Sequence, residues 1–289
     1  MSSKREKPIH SLIAGSTAGA IEAFVTYPTE FVKTRSQFGG KREGPIAIVK
    51  NTIRTQGVSG LYAGCTALAA GNSLKAGVRF VSYDYFKSKL ADSEGKVSAP
   101  RSLVAGLGAG VMESIFAVTP SETIKTKLID DAKRPNPQYR GLIHGSIQIV
   151  KQEGITGIYR GLFPVMMRQG ANSAVRFTTY TTLKQAVQTR TRPGQTLPSS
   201  VTFGIGAIAG LVTVYTTMPL DVIKTRMQSL DARGQYRNSF HCGYRIFTEE
   251  GLLRFWTGAT PRLARLVLSG GIVFTVYENI IRVLNPPPL

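Results

Sequence analysis

One decapeptide recurs three times along this chain: PTEFVKTRSQ at 28–37, PSETIKTKLI at 120–129 and PLDVIKTRMQ at 219–228. A second motif follows each copy: QGVSGLYAG at 56–64, EGITGIYRG at 153–161 and EGLLRFWTG at 250–258. A GxxxG pair precedes each copy: Gly15 and Gly19, Gly106 and Gly110, Gly206 and Gly210. Ordered features in triplicate, at a period of about one hundred residues, exclude the short solenoid repeats and require three similar subdomains. Their bounds read as 9–90, 98–189 and 198–285.

Each repeat holds two long segments of low charge. The first runs through the proline, at 9–37, 99–129 and 198–228; the second follows the aromatic-glycine motif, at 64–90, 161–189 and 258–284. Each is long enough for the roughly 20 residues that cross a bilayer. None is purely apolar. Gly, Ala, Ser and Thr are frequent, which suits close helix–helix contact in lipid. Between the paired segments, Ile143, Ile147 and Val150, and again Phe240, Tyr244 and Phe247, recur at helical spacing among polar residues. These stretches predict short amphipathic helices at a membrane surface. A soluble bundle is disfavoured, because glycine costs about 1 kcal/mol at each water-exposed helical position. The fold class expected is an all-α membrane protein with six transmembrane helices, two per repeat.

Composition narrows the partners. Charged residues make up 18% of the chain, and 36 Lys+Arg against 17 Asp+Glu give a net charge of +19. Such a balance suits nucleic acid, an acidic membrane surface or anionic solutes. Many of the cations are embedded in apolar segments, and no zinc-finger or RNP motif is present, so nucleic acid is not expected. Cys65 and Cys242 stand far apart, and His10, His144 and His241 are scattered; no metal site or cofactor is expected. No P-loop, GxSxG or HExxH occurs, and the chain does not read as an enzyme. The N-terminal MSSKREKPIH lacks the features of a secretory signal or transit peptide, so any organelle targeting is expected to be internal.

The triplicated pattern, P-x-[DE]-x-x-[KR]-x-[KR]-x-Q followed by [DE]-G-x4-[aromatic]-[KR]-G, resembles that of the mitochondrial carrier family over nearly the whole chain. The departures are Ile129 for the glutamine, Gln56 for the second acid, and Ala63 and Thr257 for the second base. The resemblance implies six transmembrane helices around a pseudo-threefold axis. It implies a central substrate site, alternating access, and an inner mitochondrial membrane location with both termini toward the intermembrane space.

The signature has a direct physical reading. Pro28, Pro120 and Pro219 fall within helices, where each removes a backbone hydrogen bond and predicts a kink. Glu30, Glu122 and Asp221 follow two positions on, and Lys33, Lys125 and Lys224 three beyond those. Three acids and three bases near one membrane face can alternate in a ring. Two such charges at 4 Å attract by about 4 kcal/mol at an effective dielectric of 20. Local i,i+3 pairs would give only about 0.2–0.5 kcal/mol each. In the family this ring is the matrix gate, and its glutamines are Gln37 and Gln228 here. The family's cytoplasmic gate, [FY]-[DE]-x-x-[KR], is met by Tyr83, Asp84 and Lys87. It is met in part by Tyr180 with Lys184, and by Tyr277 with Glu278. An incomplete, weakly holding second gate is expected.

The even segments carry six cations and no acid over 66–82, 162–179 and 259–276: Lys75, Arg79, Arg168, Arg176, Arg262 and Arg265. A charge at bilayer depth costs at least about 2.5–3.5 kcal/mol. Forked guanidinium donors suit carboxylates. Glu22 and Glu113 occupy equivalent places on the odd segments, where the third repeat has Thr213. Either acid could pair with an arginine or bind a proton carried with the substrate. In the family, an Arg followed by a polar residue on the fourth helix goes with carboxylic and keto acids; here that pair is Arg168-Gln169, with Asn172 and Arg176 continuing the face. GNSLKAGVRF (71–80), MRQGANSAVRF (167–177) and TPRLARLVLSGGIVFTVYE (260–278) look most like the family's fungal citrate (tricarboxylate) carriers. That branch exchanges citrate or isocitrate for another tricarboxylate, malate or phosphoenolpyruvate. The resemblance makes Lys75, Arg79, Arg168, Gln169, Asn172, Arg176, Arg262 and Arg265 the substrate ligands. It makes the partners small anions and inner-membrane lipids, cardiolipin among them, and the working unit a monomer. The sequence-level mechanism has the bound anion neutralise mutually repelling arginines.

Overall fold

The computed structural model describes residues 8–39, 43–91, 99–134, 136–189 and 198–284. Among these residues the chain is helical throughout, and each repeat runs long helix, short helix, long helix. The first repeat contains α1 (Pro8–Gln37), α2 (Pro45–Gln56) and α3 (Cys65–Leu90). In the second, α4 (Ala99–Glu113) continues through a π-helical turn, Ser114–Val118, into α5 (Thr119–Asp131); α6 (Gly141–Ile158) and α7 (Leu162–Gln188) follow. The third has α8 (Ser199–Met227), the single turn α9 (Ala232–Gln235), α10 (Ser239–Arg245) and α11 (Ala259–Leu284). The 26 residues of α3 and α11 reach roughly 39 Å at about 1.5 Å per residue, more than the ~30 Å hydrocarbon core needs.

Among the described residues, two spans are apolar enough to cross a membrane by composition alone, Val104–Asp131 and Val201–Met227, both odd helices. The even helices, which carry the six cations, are not among them. Their outer faces are nonetheless apolar: Phe80, Val81, Phe177 and Val267 are all exposed. That is the arrangement of helices solvated by lipid, with polar groups turned inward.

The prolines act in two ways. Pro28 and Pro219 lie inside continuous helices, whereas Pro120 follows the π turn at the start of α5. Each proline frees the carbonyl four residues earlier. For Pro219 that carbonyl belongs to Tyr215, and the Trp256 indole donates to it at 3.0 Å. For Pro28 the freed carbonyl belongs to Phe24, whose ring stacks on Tyr62 at 4.8 Å. The aromatic residue of the second motif therefore covers the proline site of the first.

The glycines of the second motif have a defined role. Gly57, Gly154 and Gly251 have φ of 72°, 71° and 86°, and Gly64, Gly161 and Gly258 have φ of 81°, 88° and 89°. These angles lie in the left-handed region that side chains avoid. A Cβ on Gly64, Gly161 or Gly258 would also stand 3.0, 3.6 or 3.1 Å from the carbonyl oxygen of Lys125, Lys224 or Lys33 respectively. The second motif of each repeat thus packs against the decapeptide lysine of the next.

The GxxxG glycines depart from expectation. Gly19, Gly106, Gly110 and Gly206 have no neighbour within 4 Å of an added Cβ, and of the described ones only Gly210 meets another helix, at Leu266. They lie along the N-terminal halves of the odd helices, on faces that no neighbouring side chain covers closely. Close contacts fall instead at Gly71 against Ser121 and Gly108 against Phe86.

The buried apolar clusters all lie at the other end, around the C-terminal halves of the odd helices. One joins Tyr27, Phe31, Ile48 and Leu61 of the first repeat to Ile129 of the second. Another packs Val222 and Met227 on Tyr236, Cys242 and Ile246. The third contains Leu128, Tyr139 and Ile149. Burial raises the Cys242 thiol to about 12. On α3 only Ala67 and Gly71 are buried, and on α7 only Pro164 and Val165, all within the first turns. The helix barrel is closed at the decapeptide end and open at the other.

Candidate functional site

The decapeptides place their charges as a closed ring. Glu30 pairs with Lys125 at 2.8 Å, Glu122 with Lys224 at 3.0 Å, and Asp221 with Lys33 at 2.6 Å. Each pair joins two repeats. The i,i+3 pairs within one helix are longer, 3.8 Å for Lys33–Glu30 and 3.9 Å for Lys224–Asp221. Breaking a buried pair from one side costs about 3–5 kcal/mol, so the ring is a substantial barrier.

The two glutamines bond across the same seams. Gln37 Oε1 accepts from Thr225 at 2.7 Å and Gln228 Oε1 from Thr126 at 3.5 Å. Ile129, in the third such position, is fully buried in the apolar cluster beside Phe31 and Ile48. Its departure from the pattern exchanges a hydrogen bond for hydrophobic packing.

Below the ring, the second motif braces the first. Lys127 pairs with Glu153, and Arg226 with Glu250. Arg226 also donates to the Gln37 carbonyl at 3.2 Å, and Arg254 pairs with Glu250 at 2.6 Å and donates to the Phe38 carbonyl at 3.1 Å. These donors satisfy carbonyls at the C-terminus of α1, where a helix leaves acceptors unpaired and favours cations. Burial alone would raise the Glu250 carboxyl, but the hydrogen bonds and charges of Arg226 and Arg254 hold it below its usual range. In the first repeat, Gln56 stands in the acid's place and donates instead to the Ala132 carbonyl.

Above the ring, the six cations of the even helices do not form a mutually repelling set. Arg168 lies 3.2 Å from Glu122 and 3.5 Å from Asp221; Arg262 lies 3.4 Å from Asp221. Arg265 lies 2.9 Å from Glu30 and 3.9 Å from Glu22. Lys75 and Arg79 share Glu113, at 3.4 and 3.5 Å. Only Arg176 has no acid within salt-bridge reach among the described residues. The sequence showed the cations without acids because their partners sit on the odd helices. Every acid of the ring therefore serves two masters, a lysine of the next repeat and an arginine facing the cavity. The arginine contacts of the ring are what sequence spacing alone missed.

Gln169 donates to Glu113 at 3.5 Å and to Ser114 at 3.4 Å, and Asn172 is half-buried on the same helix. A cleft lined by Asn72, Lys75, Ser121, Glu122 and Arg168 opens beside them. Glu22 accepts from Thr26 at 3.1 Å, while Thr213 bonds only its own backbone at Ala209.

At the open end, Asp84 and Lys87 are exposed and form no ion pair among the described residues. Lys184 lies 6.0 Å over the ring of Tyr180. The side chains of Tyr277 and Glu278 lie outside the described residues. The decapeptide ring is closed, and no ion pair closes the opposite mouth among the described residues.

The comparisons with known proteins agree with this geometry. The sequence model of the family described as "Mitochondrial carrier protein" matches residues 4–94, 95–191 and 195–287. The chain is 54% identical over 285 residues to "Mitochondrial citrate transporter A" of Aspergillus niger, covering 98% of this chain and 95% of that one. It is 50% identical over 299 residues to the "Tricarboxylate transport protein" of Saccharomyces cerevisiae, covering 98% and 100%. It is 41% identical over 287 residues to the human "Tricarboxylate transport protein, mitochondrial", covering 98% and 92%.

Proposed function

The chain belongs to the mitochondrial carrier family, multi-pass proteins of the inner mitochondrial membrane, and on that premise we propose that it exchanges citrate or isocitrate for another tricarboxylate, malate or phosphoenolpyruvate. What supports the proposal is the set of six cations on the even helices, Lys75, Arg79, Arg168, Arg176, Arg262 and Arg265, beside a closed ion-pair ring, with Lys75 and Arg168 lining one cleft. Forked donors at several heights suit a ligand with several carboxylates. The names of the fungal and human relatives point to the same substrate class.

In this reading the ring of Glu30, Lys33, Glu122, Lys125, Asp221 and Lys224 is the matrix gate, and the open mouth faces the cytoplasmic side. Gln37 and Gln228 hold the seams of that gate. Tyr83, Asp84, Lys87, Tyr180, Lys184, Tyr277 and Glu278 supply the opposite gate. Arg176, which has no acid of its own among the described residues, meets the anion first. Arg168, Arg262 and Arg265 are then shared between substrate and gate. Each arginine drawn to a substrate carboxylate leaves a gate acid with one cation fewer, and the ring weakens. A ligand shifts a two-state equilibrium by its differential affinity, and these shared arginines provide it. Competition for arginine, not relief of repulsion, couples the anion to the gate. The three repeats enclose the cavity within one chain, so a monomer suffices. Inner-membrane lipids, cardiolipin among them, solvate the outer faces.

Uptake of labelled citrate into liposomes loaded with citrate, malate or ATP tests the substrate class. Exchange is expected against citrate and malate and not against ATP. Absence of citrate/citrate exchange would overturn the reading.

A further inference from the structure

The even helix of each repeat packs on the odd helix of the next, so three seams join the repeats: α3 on α4 and α5, α7 on α8, and α11 on α1. The seams are not equal. Seven residues after Gly161 and Gly258 stand Arg168 and Arg265. Each reaches a ring acid of the next repeat, Arg168 to Asp221 at 3.5 Å and Arg265 to Glu30 at 2.9 Å. Seven residues after Gly64 stands Gly71, and among the described residues no arginine of the first repeat crosses to Glu122. Gly71 lies instead against Ser121 of α5, where an added Cβ would stand 2.4 Å from the serine Cβ. A cleft occupies this seam, lined by Asn72 and Lys75 from one side and by Ser121, Glu122 and Arg168 from the other.

Below the ring the same seam has the fewest locks. Between the second and third repeats, Arg160 donates to the Tyr236 carbonyl at 3.1 Å, the Leu230 amide to the Asp130 carboxylate at 2.9 Å, and Thr126 to Gln228 at 3.5 Å. Between the third and first, Arg226 and Arg254 donate to the carbonyls of Gln37 and Phe38 at 3.2 and 3.1 Å, and Thr225 to Gln37 at 2.7 Å. Between the first and second, one neutral donor, Gln56, reaches the Ala132 carbonyl, and Ile129 makes apolar contact where the other seams have glutamine. Charge-assisted hydrogen bonds are roughly twice as strong as neutral ones, and apolar contact is non-directional. Higher in the cavity Lys75 and Arg79 cross this seam to Glu113, but their side chains are 41% and 68% exposed, and exposed pairs hold weakly. The odd helix on the far side of the seam is the one broken by a π-helical turn, Ser114–Val118, which α1 and α8 lack. Helices bend at such turns.

We propose that the ring opens first and widest between the first and second repeats, that the anion passes there, and that the third repeat stays joined to both. This rests on the anion-exchange reading above. Lys125–Glu30 is then the pair that parts first. Gln56, Gly71 and Ile129, each a departure from the threefold pattern, all fall on this one seam. Together they give a symmetric barrel one weak side.

Spin labels on the purified full chain test this. Arg54, Lys151 and Thr248 are exposed and occupy equivalent places, three residues before Gly57, Gly154 and Gly251. They are changed to cysteine in pairs and labelled, with Cys65→Ser and Cys242→Ala, and each pair is checked for citrate exchange. Label-to-label distances are measured with and without saturating citrate. On adding citrate, the pair at 54 and 151 is expected to gain a longer component, larger than in either other pair. Ile129→Gln, which sets a glutamine opposite Thr34 as Gln228 stands opposite Thr126, should shrink that component. It should also slow exchange about fivefold, the worth of one net hydrogen bond. Equal components at all three seams, a largest component at another seam, or none in any pair while citrate exchanges would overturn the proposal. So would a folded Ile129→Gln protein that exchanges at the wild-type rate. Failure of the wild type to exchange citrate would overturn the substrate reading, and the proposal with it.

Discussion

Lys33 Nζ lies 2.6 Å from Oδ2 of Asp221, across the seam between the first and third repeats. Asp221 is fully buried and also receives Arg262 at 3.4 Å and Arg168 at 3.5 Å. It is the most heavily paired acid of the ring. Glu122 has fewer partners and its side chain is 17% exposed. Asp221→Ala should therefore destabilise the protein more than Glu122→Ala, with a loss on the scale of about 3–5 kcal/mol for an uncompensated buried charge. Melting temperatures in one detergent compare the two. Equal losses would mean that the additional arginine contact of Asp221 contributes nothing.

Arg168 and Arg176 separate structural from binding roles. Arg168 completes two gate acids, whereas Arg176 meets none among the described residues. Arg176→Ala should leave the melting temperature within the ±0.5 kcal/mol or so of a neutral site and still abolish citrate exchange. Arg168→Ala should lower both. Thermal melts paired with liposome exchange give the comparison.

Much of this was legible in the sequence, and the reason is symmetry. Triplication exposed the three acids and three lysines of the ring, and their distances close it as spacing suggested. The cations of the even helices were legible as well. Their partners were not, because an arginine on α11 and an acid on α1 are joined only by the closing of the barrel. Arg265 with Glu30 is the clearest case. The GxxxG motif misled for a related reason: spacing marks a small face without saying which conformation uses it. The proline and the aromatic of one repeat are far apart in sequence, and only the fold brings Trp256 to the carbonyl that Pro219 frees.

Trp256→Phe keeps the ring and removes that donor. The expected cost is about 1 kcal/mol, the net worth of one hydrogen bond. A denaturation midpoint unchanged from the wild type would show that another group supplies the bond.

The two glycines of each second motif should differ in their tolerance of alanine. At Gly57 an added Cβ meets open space, so the substitution costs only the left-handed backbone, about 1–2 kcal/mol. At Gly64 the same φ is joined by the Lys125 carbonyl at 3.0 Å. Gly64→Ala should cost clearly more and reduce exchange, since it pushes on the backbone of a gate lysine. Thermal stability of the two variants, side by side, is the check.

Glu250 gives a pH dependence of known sign. Its folded carboxyl is held below the usual 4.5 by Arg226 and Arg254. The stability it contributes is thus complete above that value and is lost as pH falls through the lower, folded one. Glu250→Gln should flatten the acid side of the stability profile and leave the neutral region parallel to the wild type.

If exchange through the one cavity is obligatory, the matrix ring opens only when an anion takes its arginines. The most direct measurement is initial uptake of labelled citrate into liposomes carrying the purified protein, loaded with unlabelled citrate or left empty. The account predicts rapid uptake into the loaded vesicles and almost none into the empty ones. Equal uptake into both would contradict it, because the ring would then open without a substrate inside to open it.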